Sequence, residues 1–146
     1  MDFTIDISRP APEVFAVIAD LSSYHHWLPP SRLYVGTTTI SGGPTSLGTT
    51  YVDRSRQAIL RGRVTQFRPP ELIAFQQVTR SPLGRLAVDI EYRLEDHGAS
   101  TRVYRTTTPH LSGPLALLGP MLLRSIRNEN LRTLAAMKQC LESKHS

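Results

Sequence analysis

The chain lacks most of the features that mark secreted or membrane-spanning proteins. Cys140 is the single cysteine among 146 residues, so no disulfide can form within the chain, as is typical of a reducing compartment. No apolar run reaches the roughly 18 residues that a membrane-spanning helix needs. The N-terminal sequence MDFTIDISRP has neither the basic start nor the apolar stretch of a secretory signal. We therefore expect a cytoplasmic protein without a membrane span.

Charge of one sign is in excess, but it is not concentrated along the sequence. Seventeen lysines and arginines against twelve acidic residues give a net charge of +5, which favours anionic partners in general. The arginines are spread through segments of strand-like pattern, with no basic run and no aromatic-basic motif of the RNA-binding type. We expect no specific nucleic-acid partner.

The short motifs of several enzyme classes are also missing. There is no G-x-S-x-G, G-x-G-x-x-G, Walker A or C-x-x-C sequence, although a catalytic triad assembled from distant residues stays open. His25 and His26 are adjacent, and neighbouring side chains on a helix point about 100° apart, so they do not suit one metal ion. We expect no metal and no other cofactor.

Alternation of apolar and polar residues is the main pattern that is present. It is clearest between Arg85 and Glu95, where the apolar residues occupy every second position. Clusters of Gly, Pro, Ser and Asp at 41–44, 81–84 and 96–99 predict turns. The pattern predicts seven strands, at 3–7, 33–40, 47–55, 57–68, 72–79, 85–95 and 100–108.

Helical periodicity surrounds this block of strands. Pro10 and Pro12 suit the start of a short helix over 14–18, and Asp20 can cap a second over 22–27. A leucine-rich stripe from Leu111 to Leu141 predicts a long C-terminal helix, which Gly119-Pro120 should kink or begin, so that its main part covers 120–143.

This order predicts an α+β fold of one domain, in which a curved antiparallel sheet of about seven strands grips the long C-terminal helix. Two short helices follow the first strand, which returns to the sheet edge beside the last strand.

Several segments resemble a known family in their order and spacing. They are RPAPEVFAVIADLSSYHHWLPP at 9–30, LGTTY at 47–51, PPELIAF at 69–75 and GASTRV at 98–103, followed by the leucine-rich terminal helix. Together they resemble the START-like helix-grip superfamily, specifically the polyketide cyclase/dehydrase and lipid-transport family (SRPBCC). The resemblance covers nearly the whole chain and implies a single START-like ligand-binding domain over 1–146.

What the resemblance implies is an elongated cavity between sheet and helix that binds small hydrophobic molecules. We expect Trp27, Tyr51, Phe75 and Tyr92 to form its wall, with Trp27 near the cavity mouth or between helix and sheet.

Two residues are candidates for polar anchors in this cavity. We expect Arg105 to face inward with Val103 rather than outward to solvent, and Asn130 to point from the long helix toward the ligand. A buried arginine needs a partner, either Glu129 or an acidic group of a bound molecule. Arg61 and Arg63 share the opposite strand face from Val64 and should lie in solvent.

Three functions fit this sequence. The first is non-covalent binding of a lipid, polyketide or isoprenoid-like molecule, and the second is a polyketide cyclase or dehydratase that folds its substrate and transfers protons in the same cavity. The third is a protein-interaction module that uses the cavity mouth. An interior polar triad would favour the enzyme, and a closed, mostly apolar cavity would favour the binding protein. The ligand, the catalytic residues and the oligomeric state stay open.

Overall fold

The computed structural model describes residues 1–56 and 58–143. Within them, seven antiparallel strands form one curved sheet with the order β1-β7-β6-β5-β4-β3-β2. The strands are β1 (Asp2–Ile7), β2 (Gly36–Thr38), β3 (Thr50–Arg54), β4 (Ile59–Arg68), β5 (Leu72–Ser81), β6 (Gly84–Asp96) and β7 (Thr101–Ser112). Strands β2 to β7 pair in chain order, and the predicted return of the first strand beside the last is confirmed.

The helices lie at the predicted places in the chain. Helix α1 (Ala11–Ala19) has Pro12 in its first turn, where a missing N–H group costs nothing. A 3-10 turn (Leu21–Ser23) and the one-turn helix α2 (Tyr24–Trp27) follow. A 3-10 helix (Gly113–Leu118) leads into the 25-residue helix α3 (Gly119–Ser143). The α+β fold class is confirmed.

The core lies between α3 and the inner face of the sheet. Alternate residues of β6 point inward, and Ile90, Tyr92 and Leu94 are buried there. Leu134, Met137 and Leu141 of α3 belong to the same buried cluster. This packing fixes which strand positions can face a cavity.

Strand β7 continues four residues beyond its predicted end. Pro109 and Leu111, expected at or beyond the end of this strand, pair with Val88 and Leu86 of β6. The pairing with β1 stops at Thr106, so Pro109 has no β1 neighbour that requires its N–H group. A proline is therefore tolerated inside this strand, and the predicted helical role of Leu111 is wrong.

Strand β2 is much shorter than the predicted strand at 33–40. The Ser31 hydroxyl accepts hydrogen bonds from the N–H groups of Leu33 and Tyr34, both at 3.2 Å, which fixes a turn before the strand. Thr39 has a positive φ of 52°, which ends the strand. Strand β4 begins at Ile59, and the predicted start at residue 57 lies outside the described residues.

Candidate functional site

A cavity of about 110 Å³ lies between the inner face of the sheet and α3. Pockets for drug-sized ligands measure roughly 300–1,000 Å³, whereas a cavity of about 150 Å³ holds benzene. The cavity as it stands therefore matches a molecule of about one ring. Its lining comes from the 3-10 turn after α1, α2, the loop after α2, five strands and α3: Leu21, Tyr24, Leu28, Leu33, Tyr34, Thr37, Tyr51, Asp53, Phe75, Gln77, Ile90, Tyr92, Arg105, Glu129 and Thr133.

Three aromatic rings form the sheet side of the cavity. Tyr51, Phe75 and Tyr92 follow one another across β3, β5 and β6, with ring centres 5.9 Å and 6.4 Å apart and nearly perpendicular planes. Such edge-to-face contacts stabilise a pair of rings by about 0.5–1.5 kcal/mol beyond their burial. Strand β4 lies between β3 and β5, and its Gly62 faces the Tyr51 ring. A Cβ atom at this position would lie 2.3 Å from Cζ of Tyr51. The glycine thus makes the space that the Tyr51 ring occupies.

Arg105 brings a positive charge into this apolar setting. It is only 9% exposed, its Nε donates to Oδ1 of Asn130 at 2.5 Å, and a terminal N–H donates to the Tyr92 hydroxyl. Its guanidinium carbon lies 5.0 Å from the centre of the Tyr92 ring. In the described part of the chain, no carboxylate forms an ion pair with it. Because a buried charge without a partner is costly, its remaining donors suit an acidic or carbonyl oxygen.

Asn130 holds Arg105 from behind. Its Oδ1 also accepts from the Thr107 hydroxyl at 2.8 Å, and its Nδ2 donates to the Ile126 carbonyl one helical turn away at 2.8 Å. Asn130 itself is 1% exposed. The amide therefore connects α3 to β7 and fixes the direction of the guanidinium.

A carboxyl group, Asp53, also lines the cavity. The Thr37 hydroxyl donates to one of its oxygens at 2.6 Å and Gln77 Nε2 to the other at 2.8 Å. Gln77 Nε2 also donates to the Tyr51 hydroxyl at 2.9 Å, and the Tyr34 hydroxyl lies 2.9 Å from Thr37 Oγ1. Burial raises the pKa of Asp53 to about 6, although the hydrogen bonds from Thr37 and Gln77 oppose the rise. Near neutral pH, this carboxyl can both accept and return a proton.

The tyrosines around Asp53 remain neutral donors. Burial raises the pKa of Tyr51 far above its ordinary value, and the nearby Asp53 carboxylate adds to the rise. Burial likewise raises the pKa of Tyr34. Both tyrosines therefore keep their hydroxyl protons at neutral pH.

One side of the cavity is covered by the loop after α2, which is attached to α3. The Ser31 hydroxyl donates to Oε2 of Glu129 at 3.0 Å, and Arg132 donates to Oε1 of Glu129 at 2.5 Å. Arg132 also donates to Ser31 Oγ and to the carbonyl of Pro29. We call Ser31, Glu129 and Arg132 the latch, because these contacts hold Leu28, Leu33 and Tyr34 against the cavity.

The structure distributes the predicted site residues over three places. Tyr51, Phe75, Tyr92 and Arg105 line the cavity, and Asn130 lies behind Arg105. Trp27 is half-buried outside the lining and packs on Tyr24, with ring centres 4.9 Å apart.

The tyrosine of α2 takes the position expected for the tryptophan. The Tyr24 hydroxyl donates to the Ile18 carbonyl at 2.5 Å, which turns its ring inward in this one-turn helix. Trp27 then packs behind that ring, and its buried indole N–H has no acceptor among the described residues.

Of the two candidate partners for Arg105, Glu129 is excluded. The Glu129 carboxylate is bound by Ser31 and Arg132, and the neighbouring residue Asn130 contacts Arg105 instead. Adjacent helical residues point about 100° apart, so only one of the two can face β7.

Asp53 and Gln77 were not predicted as site residues. Asp53 shares its strand face with Tyr51, and Gln77 shares its face with Phe75, since side chains two positions apart lie on one side of a strand. The same alternation that placed the aromatic residues could therefore have placed both polar residues in the cavity.

Over 1–56 and 58–143, no three His, Cys, Asp or Glu side chains are grouped so that they could hold a metal ion. No helix in the described part of the chain is long and apolar enough to cross a bilayer. Arg61 and Arg63 are exposed, as predicted.

Solved structures share this architecture. The chain is similar to the Zhui aromatase/cyclase from Streptomyces sp. R1128, with 17% identity and a TM-score of 0.81 over 100% of this chain and 94% of that one. Ara h 8.0201 gives 13% identity and a TM-score of 0.76, over 98% and 97% of the two chains. Aha1 from Colwellia psychrerythraea gives 16% and 0.69, over 100% and 98%. These likenesses show the fold.

The family itself is shown by sequence. No curated protein matches the chain significantly. The model of the family described as "Polyketide cyclase / dehydrase and lipid transport" matches residues 1–140, which is nearly the whole chain. The chain therefore belongs to this SRPBCC family, which binds hydrophobic ligands and includes polyketide cyclases.

Proposed function

We propose that this protein binds a small amphipathic molecule of lipid, polyketide or isoprenoid type, non-covalently, in the cavity between sheet and α3. The observation that carries the proposal is Arg105, a buried cation without a carboxylate partner among the described residues, beside the aromatic wall. The ligand supplies an acidic or carbonyl oxygen to Arg105 and an apolar body to Tyr51, Phe75 and Tyr92.

Each part of the ligand has its own energetic role. Burial of apolar area contributes about 25 cal/mol per Å², so the ring provides affinity without direction. The hydrogen bonds from Arg105 to a charged oxygen fix the orientation. A ligand longer than one ring requires the loop over Leu33 and Tyr34 to move away from α3.

Matched small probes test this proposal. Benzoate and toluene share a ring and differ in the carboxylate, and ligand-observed NMR measures the binding of both. The wild-type protein should prefer benzoate, and Arg105→Met should remove the preference while toluene still binds. Arg105→Lys keeps the charge and should keep part of the preference. An unchanged preference in Arg105→Met would contradict the proposal.

Native mass spectrometry with organic extraction of the purified protein would identify a natural ligand.

A second candidate function, a polyketide cyclase or dehydratase, is favoured by Asp53. Its carboxyl, with a pKa raised to about 6, lines the same cavity as Arg105. An ionised Asp53 could take the proton next to a substrate carbonyl while Arg105 stabilises the enolate oxygen. The protonated carboxyl would then return the proton to carbon, or to a departing hydroxyl that leaves as water.

Proton exchange separates this candidate from binding alone. Acetophenone in D₂O exchanges its α-methyl protons when a base removes them, and ¹H NMR follows the loss of signal. The wild-type protein should accelerate the exchange and Asp53→Asn should not, although the variant still binds benzoate. Asp89→Asn, on the outer face of the sheet, is the matched control and should behave as wild type. Equal exchange rates in Asp53→Asn and the wild type would exclude Asp53 as the base.

A further inference from the structure

The outer face of the sheet is divided by charge. On β1, on β7 and at the C-terminal end of β6, arginines have acidic partners: Arg93 pairs with Glu91 at 2.5 Å and Arg102 with Asp6 at 2.9 Å. The hydrogen bond from Arg102 lowers the pKa of the Asp6 carboxyl below its ordinary value. Both of these arginines are therefore neutralised by carboxylates.

The other half carries arginines without acidic partners. A depression of about 1120 Å³ on β3 to β6 is lined by six of them, Arg54, Arg56, Arg61, Arg63, Arg80 and Arg85, which we call the arginine groove. None of the six forms an ion pair with a carboxylate in the part of the chain that the structure describes. The protein's positive charge is thus concentrated by folding, although it is dispersed in the sequence.

Part of the floor of the arginine groove is apolar. Val52 and Val78 are the direct neighbours of Arg61 on the two adjacent strands, and both line the depression. Ile59 lies in the same lining and is 46% exposed. The surface therefore offers apolar contacts between its guanidinium groups.

We propose that the arginine groove binds an acidic amphipathic helix of another protein. Four adjacent strands about 4.8 Å apart span about 15 Å, and an α-helix with its side chains is about 10–12 Å across. Guanidinium groups match carboxylates in bidentate geometry, and the valine floor accommodates an apolar stripe between two rows of acidic residues. Protein interfaces are enriched in arginine for these reasons.

Other polyanions fit the groove less well. Single-stranded nucleic acids bind to basic grooves that also present aromatic rings for stacking, and the one aromatic residue of this lining, Tyr51, is 3% exposed and packs on the inner face. A bilayer is flat on this length scale, so it would meet only the rim of a depression. Neither a single-stranded nucleic acid nor a bilayer would contact the apolar part of the floor.

A synthetic helical peptide of about 18 residues, with glutamates on both sides of a leucine stripe, is the probe. Fluorescence anisotropy of the labelled peptide measures binding to the full chain. Arg61→Glu/Arg63→Glu should weaken binding by at least about tenfold. The milder Arg61→Gln/Arg63→Gln should act in the same direction. The matched control is Arg124→Glu/Arg127→Glu on α3, which has the same net charge as the first variant and should stay within about twofold of wild type.

Three results would overturn the proposal. One is the absence of peptide binding to the wild-type protein. Another is equal weakening in the groove variant and in the α3 control, which would show a response to net charge alone. The last is tighter binding of a duplex oligonucleotide, or of phosphatidylglycerol vesicles, with the same dependence on Arg61 and Arg63. A peptide of the same composition in scrambled order should bind less tightly, because its leucines no longer form one stripe.

Discussion

The negative charge of Asp53 destabilises the folded protein. Its pKa is raised from the ordinary 3.8 to about 6, so the folded protein holds the proton more tightly than the unfolded chain does. The stability that this provides is fully present below about pH 4 and is lost as the pH rises through about 6. Above pH 7, the ionised carboxylate therefore lowers the free energy of unfolding, by at most about 3 kcal/mol.

We expect Asp53→Asn to stabilise the protein at pH 8 by about 1–3 kcal/mol, because the amide carries no charge to bury. The gain should shrink toward pH 4, where the wild-type carboxyl is protonated, and urea unfolding of both proteins at the two pH values measures it. Asp6→Asn is the contrasting control: the pKa of Asp6 is lowered by Arg102, so its charge stabilises the fold at pH 8. A constant difference between Asp53→Asn and wild type would show that burial does not raise this pKa.

Gly62 is a second residue with an effect out of proportion to its size. A methyl group at this position would overlap the Tyr51 ring, since its carbon would lie 2.3–2.7 Å from three atoms of the Tyr51 side chain. We expect Gly62→Ala to lower the free energy of unfolding by about 1–3 kcal/mol and to weaken benzoate binding as Tyr51 moves. Gly36→Ala, at a strand position with no atom within 4 Å, should change stability by less than about 0.5 kcal/mol. Similar unfolding curves for the two variants would contradict this role of Gly62.

At the scale of elements, the loop after α2 is the part of the cavity wall that we expect to open. The latch attaches that loop by side-chain contacts from Ser31, Glu129 and Arg132, whereas the strands around it are joined by backbone ladders. Side-chain contacts of this kind break locally at a lower free-energy cost than the backbone hydrogen bonds of a sheet.

We expect Arg132→Ala to speed amide hydrogen exchange at 31–34 by at least about fivefold, because the loop then keeps only the Ser31–Glu129 contact to α3. Exchange in β5 and β6 should stay nearly unchanged. Arg127→Ala removes an exposed arginine from the same helix without touching the latch, and it serves as the control in hydrogen-exchange mass spectrometry. Uniformly faster exchange throughout the protein would mean that Arg132 supports global stability rather than the loop.

Elements governed by local alternation were predictable from sequence. Strand β6 was placed within one residue because its large apolar residues occupy every second position from Leu86 to Leu94, and Gly119-Pro120 marked the start of α3. Predictions were wrong where distant pairing decides: β7 extends through Pro109 only because β1 has already ended. In the cavity, strand parity placed Tyr51, Phe75 and Tyr92. The choice between Trp27 and Tyr24, and between Glu129 and Asn130, depended on the rotation of a helix, which one sequence does not specify.

At the scale of the whole molecule, one sheet separates two chemically different surfaces. Its inner face carries rings, one cation and one titratable carboxyl, and its outer face carries the arginine groove. Because alternate residues of β3 and β5 belong to opposite faces, Asp53 and Arg54 are neighbours in sequence and yet serve different surfaces. Charge reversal at Arg61 and Arg63 should consequently leave benzoate binding unchanged.

The polar clamp between the two layers, formed by Arg105, Thr107 and Asn130, connects stability to binding in the whole molecule. Asn130→Leu alone leaves the buried guanidinium and the Thr107 hydroxyl without their acceptor, so we expect it to cost about 3–5 kcal/mol. The triple variant Arg105→Met/Thr107→Val/Asn130→Leu removes the buried charge and leaves only the Tyr92 hydroxyl without its partner, so it should recover most of that loss, because apolar packing replaces an incompletely satisfied charge. Urea unfolding of the single and triple variants measures the difference, and the triple variant should no longer prefer benzoate over toluene. If the triple variant is instead less stable than Asn130→Leu, the clamp holds sheet and helix together by its own bonds, and the buried charge of Arg105 serves the fold rather than a ligand.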